Sequence, residues 1–423
     1  MTKTPDAMNS PPSEPKDGRD GWRFALFYFI SFAAFSLFTI YGTLYFQRRG
    51  VSHERLGTLY AIPSFMTILA PPLWGMWSDA LRKRKLPTVL MHLITAALFP
   101  LFWVWGGDSF LVLCLFMVLF TFFFNASIPL ADAWTLDHMA HRGGDYGKLR
   151  SWGSIGFILP LFASLVLLKS SSVSSARDLL PIFVGFCLFR FLSGFYALTL
   201  PDYHARSERK RLNWHGLRAY VHPFALTFFL AVFVNRFLAR SYYTFFSIYL
   251  DEQGITDNWK GMYWVAAVAA ETALMFVSGR LLKRFGSVAL LLAGIGGMAV
   301  RTFIYSMEPP WQVILATQCL HALTFGAFHV ASIRIIDQIT PKTLRATGQT
   351  VYGGVIGIGG VVGGVVGGQL AEALGLARLY LVLSIVSAIT TVVLGLLFLR
   401  WPRPVIPPRV DSEPDQEAGI GGD

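Results

Sequence analysis

The sequence predicts an all-α membrane protein, with twelve transmembrane helices arranged as two pseudo-symmetric six-helix halves. Three observations carry that expectation. Of the 423 residues, 54% are hydrophobic and only 14% are charged, whereas soluble chains carry about 25% charged residues. The mean hydropathy is +0.50. Apolar runs of about 20 residues, the length that crosses a hydrocarbon layer about 30 Å thick, recur along almost the whole chain. The segments between them are too short for an aqueous domain of useful size.

The elements follow in order. Residues 1–21 are polar and Pro-rich and are expected to be a disordered cytoplasmic N-terminus. The first run, 22–47, is too long for a signal-peptide core and lacks a small-residue cleavage site, so it is expected to stay as the first span. Runs at 56–78, 86–106, 109–136, 149–168 and 179–199 complete a first half spanning 22–200. The longest internal polar segment, 201–221, reads as a cytoplasmic linker. The second half, 222–400, holds runs at 222–250, 259–280, 287–307, 311–336, 347–369 and 378–400, and 401–423 reads as a disordered cytoplasmic tail.

A repeat supports the division. Gly75-Met76-Trp77-Ser78-Asp79 followed by Arg82-Lys83-Arg84-Lys85 closes the second span, and Gly279-Arg280-Leu281-Leu282-Lys283-Arg284-Phe285-Gly286 closes the eighth. Weak similarity at corresponding places in two halves marks many folds that rock one half against the other. In the eleventh span nine glycines from Gly353 to Gly368 recur at helical spacing, a pattern that lets a helix approach its neighbours closely.

The net charge of +11 raises nucleic acid as a partner, but its distribution argues against that. With the N-terminus inside, 25 of the 36 Lys and Arg fall on the cytoplasmic side, 7 outside and 4 in mid-span. This is the positive-inside pattern of a bacterial-type inner (plasma) membrane protein with both termini cytoplasmic. The clusters Arg82–Lys85 and Arg206–Arg211 then face anionic lipid. Cys114, Cys187 and Cys319 fall in apolar runs as small hydrophobes, implying no disulfide or metal framework. No cofactor is expected. HExxH, GxSxG and Walker motifs are absent, so an enzyme is not expected either.

Ionisable groups within hydrocarbon are costly and tend to face partners or water-filled cavities. Counting about 1.5 Å per residue along each span places Glu271 near the midplane, on one face with Trp264, Ala267, Leu274 and Ser278. Such a carboxylate suits a proton carrier or a structural ion pair. Arg236 and Arg240 lie one turn apart with Tyr243 on the same face, and two neighbouring cations repel unless something anionic joins them: Glu271, Asp132 or an anionic substrate. His321 sits at mid-depth in a stripe with Thr324, Phe325, Phe328 and Ser332, with His329 nearer the cytoplasm. Arg190 and Arg301 have no ionisable neighbour within their spans and read as structural. Asp132 shares a face with Asn125, Ile128 and Pro129. Depth counting sets Asp132 and Arg150 toward the cytoplasmic ends of their spans, where an interfacial salt bridge is the alternative to substrate contact.

With these residues in view, the chain resembles the major facilitator superfamily over essentially all twelve spans. GMWSDALRKRK looks like that family's signature between the second and third helices, with Ala80 and Arg82 replacing a usual basic residue and a usual glycine. The resemblance implies gating roles at the inner face for Gly75, Asp79, Arg82, Lys83 and Arg84. FNASIPLADAW followed by YGKLRSWGSIGF resembles the segment of the lactose permease branch that carries a sugar-binding acid and arginine, roles that then fall on Asp132 and Arg150, with Phe157 in the place of a stacking tryptophan. VAAVAAETALMFVSGRLLKRFG and QCLHALTFGAFHVASIR are similar to the phenylpropionate permease and nucleoside:proton symporter branch. Thr324 and Arg236 stand where lactose permease has acidic residues, so its proton relay does not transfer. WGSIGFILPLFASL lacks the glycine-proline motif of drug:proton antiporters.

The resulting expectation is a monomeric secondary transporter in a lipid bilayer, moving a small organic solute by alternating access, with protons as the coupling ion. A uniporter or exporter is the alternative. Substrate contact is assigned to Asp132, Arg150, Phe157, Asn125, Arg236, Arg240 and His321, and proton coupling to Glu271, Asp132 and His321. The solute is an anionic or aromatic acid, a nucleoside or a sugar. The excess of Arg150, Arg236 and Arg240 over Asp132 and Glu271 favours an anion.

Overall fold

The computed structural model describes residues 18–104, 109–168, 175–202, 220–340 and 345–401. Most of the expected termini (1–17 and 402–423), most of the 201–221 linker and the Arg206–Arg211 cluster lie outside the described residues; residues 18–21, expected to be disordered, are instead the first turn of a helix. What is described is almost wholly helical, as a bilayer demands, because a helix pairs its backbone N–H and C=O groups within one segment.

The helices are α1 (Gly18–Arg48), α2 (His53–Leu81), α3 (Lys85–Val104), α4 (Phe110–Arg142), α5 (Tyr146–Leu167), α6 (Ala176–Ala197), α7 (Pro223–Glu252), α8 (257–285), α9 (287–306), α10 (Trp311–Ile339), α11 (Arg345–Leu374) and α12 (Leu376–Arg400). Among the described residues eleven helices are long and apolar enough to cross a membrane; one of them runs 50 residues from Asp257 to Ser306. Gly286 divides it, with φ 78° and ψ 164°, a backbone conformation that a residue with a side chain rarely adopts. Twelve spans result. Start signals are local: Ser52 and Asp145 accept hydrogen bonds from the N–H groups of Arg55 and Lys148.

In the first half α1 packs on α5 and α6, α2 on α4, and α3 on α4 and α6; in the second α7 packs on α11 and α12, and α9 on α12. The halves meet along α2 with α11, α5 with α8, and α1 with α7. Lipid tails are as apolar as leucine, so close packing and internal polar bonds hold such helices together. In the first half the close packing is aromatic: the Phe99 and Phe186 rings lie 3.9 Å apart, and Phe38, Phe120 and Phe124 stack around them.

Between α2 and α7, α11 uses its glycines as the spacing predicts. On one side a Cβ at Gly357, Gly360, Gly364 or Gly368 would strike Ile68, Ser64, Ala61 or Gly57 of α2. On the other, Gly359, Gly363 and Gly367 press on Phe233, Phe237 and Ser241 of α7.

Candidate functional site

A cavity of about 620 Å³ lies between the halves, lined by α1, α2, α4 and α5 from the first and α7, α8, α10 and α11 from the second. Its two walls differ in chemistry. The first-half wall is aromatic, with Phe32, Phe35, Phe38, Phe124 and Phe157, and contributes one cation, Arg150. The second-half wall carries Arg236, Arg240, Glu271 and His321.

Seven of the expected site residues therefore line one cavity: Asn125, Arg150, Phe157, Arg236, Arg240, Glu271 and His321. Asp132 is not among its lining residues. It accepts a 2.7 Å hydrogen bond from Tyr28 Oη and lies 3.9 Å from Arg150 Nε, while Arg150 stacks 4.0 Å over the Phe32 ring. Asp132 is thus within ion-pair range of the guanidinium without lining the cavity. Asn125 donates to Pro63 O, and to Thr67 Oγ1 at 3.2 Å, which joins α4 to α2 where a proline interrupts the helix.

In the second half, Glu271 pairs with His321 rather than with the arginines: its Oε2 is 3.3 Å from His321 Nε2, and Tyr243 Oη is 3.1 Å from Nδ1. Both ring nitrogens of this 5%-exposed imidazole are engaged. His321 sits where α10 stops being a regular α-helix, between a 3₁₀ turn at Thr317–Leu320 and a π turn at Ala322–Ala327. Such π turns gather at functional sites because they redirect side chains. Beyond the cavity lining, His329 stacks on Phe325 at 5.8 Å.

Arg236 and Arg240 have no carboxylate oxygen within 4.0 Å among the described residues. Like charges one turn apart, about 6 Å, repel by on the order of 3 kcal/mol at an effective dielectric near 20. Arg236 also lies 5.8 Å over the Phe325 ring. The other two intramembrane arginines are buried outside the cavity: Arg190 donates to Thr95 and Ser127, and Arg301 to Tyr305 and Gln318.

The two ends of the cavity are unlike. At the end of the 49–52 turn, Arg48 of α1 bonds Asp257 at 2.7 Å and Asp251 at 2.8 Å, and Lys260 bonds both aspartates at 2.7 Å. Glu372 of α11 accepts from the backbone N–H groups of His53 and Glu54, the N-terminus of α2, where the helix dipole favours an anion. Ser247 of α7 donates to Ile40 O of α1. That end is shut by bonds that cross between the halves.

At the opposite end the expected gating residues bond within the first half alone. Arg84 pairs with Asp79 at 2.6 Å and Asp137 at 3.0 Å, and Ser78 Oγ donates to Lys83 O. Arg82 caps α2 with φ 52°, the left-handed conformation for which glycine is the easy choice.

Sequence reasoning misses the hydroxyl groups of the shut end: Thr43, Tyr60, Ser64 and Thr244 all line the cavity, together with the Trp264 indole. A single hydroxyl in an apolar span carries no signal of its own. Helical spacing places Trp264 beside Glu271 but assigns it no role.

Comparison with known proteins places this architecture. Residues 21–382 match the family model described as the MFS_1 like family. The maltose permease of Geobacillus stearothermophilus is 30% identical over 383 residues, covering 89% of this chain and 94% of that protein. The probable 3-phenylpropionic acid transporter of Escherichia coli (strain K12) is 27% identical over 320 residues, covering 74% and 81%. Among solved structures, the nucleoside transporter NupG superposes with a TM-score of 0.76 at 16% identity, covering 90% of this chain and 99% of that one. The chain is a multi-pass membrane transporter that belongs to the MFS_1 like family of the major facilitator superfamily.

Proposed function

We propose that this protein is a proton symporter for a small organic anion, resident in a bacterial-type inner membrane with both termini cytoplasmic, and that it works by alternating access. The observation that carries the reading is the division of charge in the second-half wall. Glu271 is held by His321, whereas Arg236 and Arg240 share the same cavity without a carboxylate among the described residues. An anion between the two arginines relieves their repulsion, and the Glu271–His321–Tyr243 chain is a separate place for a proton. In this scheme Arg150 contacts the solute, Asp132 positions it, and Phe157 and Asn125 shape the first-half wall.

The positive-inside bias puts the shut end outside, so the state described is inward-facing. Asp79 and Arg84 then stand at the cytoplasmic mouth as gating residues. Symport requires that solute and proton load together before the halves rock.

The test is reconstitution in liposomes with a small carboxylate as the probe. Glu271→Gln should abolish uphill accumulation driven by an imposed proton gradient and spare solute exchange. Full gradient-driven uptake by that variant would remove Glu271 as the proton carrier. Arg240→Gln should lose both modes.

A further inference from the structure

The shut end of the cavity carries a band of polar groups that the charge argument does not use. Thr43 Oγ1, Tyr60 Oη, Ser64 Oγ, Thr244 Oγ1 and Trp264 Nε1 are buried and find no hydrogen-bonding partner among the described residues, and neither does Arg236 Nε. The five residues besides Arg236 are 2–7% exposed, and all six line the cavity. Buried polar groups are almost always paired, so a cluster of unpaired ones at one end of the cavity is a departure that needs a cause.

Their arrangement is ordered. The five come from α1, α2, α7 and α8, each one to three helical turns in from the shut end. Arg240 and Arg236 follow at the next turns of α7. The indole and guanidinium nitrogens only donate, and the hydroxyls are free to donate. A solute seated here meets donors at its inner end and two cations behind them, with flat Phe35 and Phe124 faces alongside.

We infer that the solute is a polyhydroxylated monoanion of the sugar-acid class, its carboxylate on Arg236 and Arg240 and its hydroxyls on Thr43, Tyr60, Ser64, Thr244 and Trp264. The inference rests on the transporter reading above and specifies its substrate. A neutral sugar satisfies the donors and leaves the arginines facing each other. An arylalkanoate satisfies the arginines but sets an apolar ring against unpaired donors, a mismatch that sites built for hydroxyls reject strongly.

The experiment uses the full chain with four probes: D-gluconate, D-glucuronate, maltose and 3-phenylpropionate, each measured by thermal shift in detergent and by uptake into liposomes. Gluconate or glucuronate should bind at least tenfold more tightly than maltose and 3-phenylpropionate. Tyr60→Phe and Thr244→Val, which conserve shape, should each weaken the sugar acid about tenfold and leave the unliganded melting temperature in place, and Thr244→Ser should restore binding. Tighter binding of 3-phenylpropionate, unchanged in Tyr60→Phe and Thr244→Val, overturns the sugar-acid class while transport of that acid keeps the transporter reading. Maltose binding as tightly as the acids, indifferent to Arg240→Gln, likewise overturns it. Sugar acids that bind as expected yet never cross the bilayer support the ligand class and sink the transporter reading instead.

Discussion

The two ends of the cavity are built from the same kinds of residue and behave oppositely. At the shut end, Arg48, Asp251, Asp257 and Lys260 interlock across the halves, with Asp257 and Lys260 each about 1% exposed. At the open end, Asp79, Arg84 and Asp137 also interlock, but inside one half, with Asp79 40% exposed. What matters for gating is which half each charge comes from and how far water is excluded from it. A bond between halves holds a state; a bond within one half shapes a surface.

That contrast can be broken by mutation, and the effects should rank by burial. Asp257→Ala comes first, because it takes the buried partner from Arg48 and Lys260 at once and leaves both only the half-exposed Asp251; removing one partner of a buried pair costs about 3–5 kcal/mol. In a background with its three cysteines replaced, a Thr43→Cys thiol should become labelled far faster from the shut side; an unchanged rate would mean the ion cluster does not hold that end. Gly57→Val comes second. Its side chain would meet Gly364 and Gly368 backbone, and overpacking of this sort costs typically about 1–3 kcal/mol. The same thiol should report partial opening, and Gly57→Ala a smaller one. Asp79→Asn comes last. It weakens a half-exposed pair worth about 0–1 kcal/mol, and shut-side labelling should change by less than about fivefold. A change as large as that of Asp257→Ala would show that Asp79 also holds the halves together.

Much of the fold is legible in the sequence because hydrocarbon leaves few choices: a long apolar run crosses as a helix or does not cross. Boundaries are less so. The eighth apolar run ends at 280, yet the helix continues through Leu281 and Leu282 to 285, until Gly286 breaks it. At the site, depth counting finds Glu271, Arg236 and His321, since an ionisable group at mid-span stands out against its neighbours. Their pairing is not readable, because which of several partners a carboxylate meets depends on how α7, α8 and α10 are rotated. The π turn at Ala322–Ala327, with no proline to announce it, is one such rotation. Asp132 shows the same gap: the sequence joins it to Arg150, but only coordinates reveal Tyr28 as its nearer partner.

The glycines have a consequence of their own. A glycine inside a helix weakens it by roughly 1 kcal/mol relative to alanine, and on α11 seven of them offset that by letting backbones touch. Among the described residues, and apart from their own helix backbone, Gly75 on α2, Gly279 on α8, and Gly353 and Gly354 on α11 have no atom within 4 Å of where a Cβ would stand. All four lie at the open mouth, and the first two occupy equivalent places in the repeat. Each leaves room for a neighbouring backbone to come as near as α2 comes to α11, which is the kind of close approach that the proposed alternating access would require for the mouth to close.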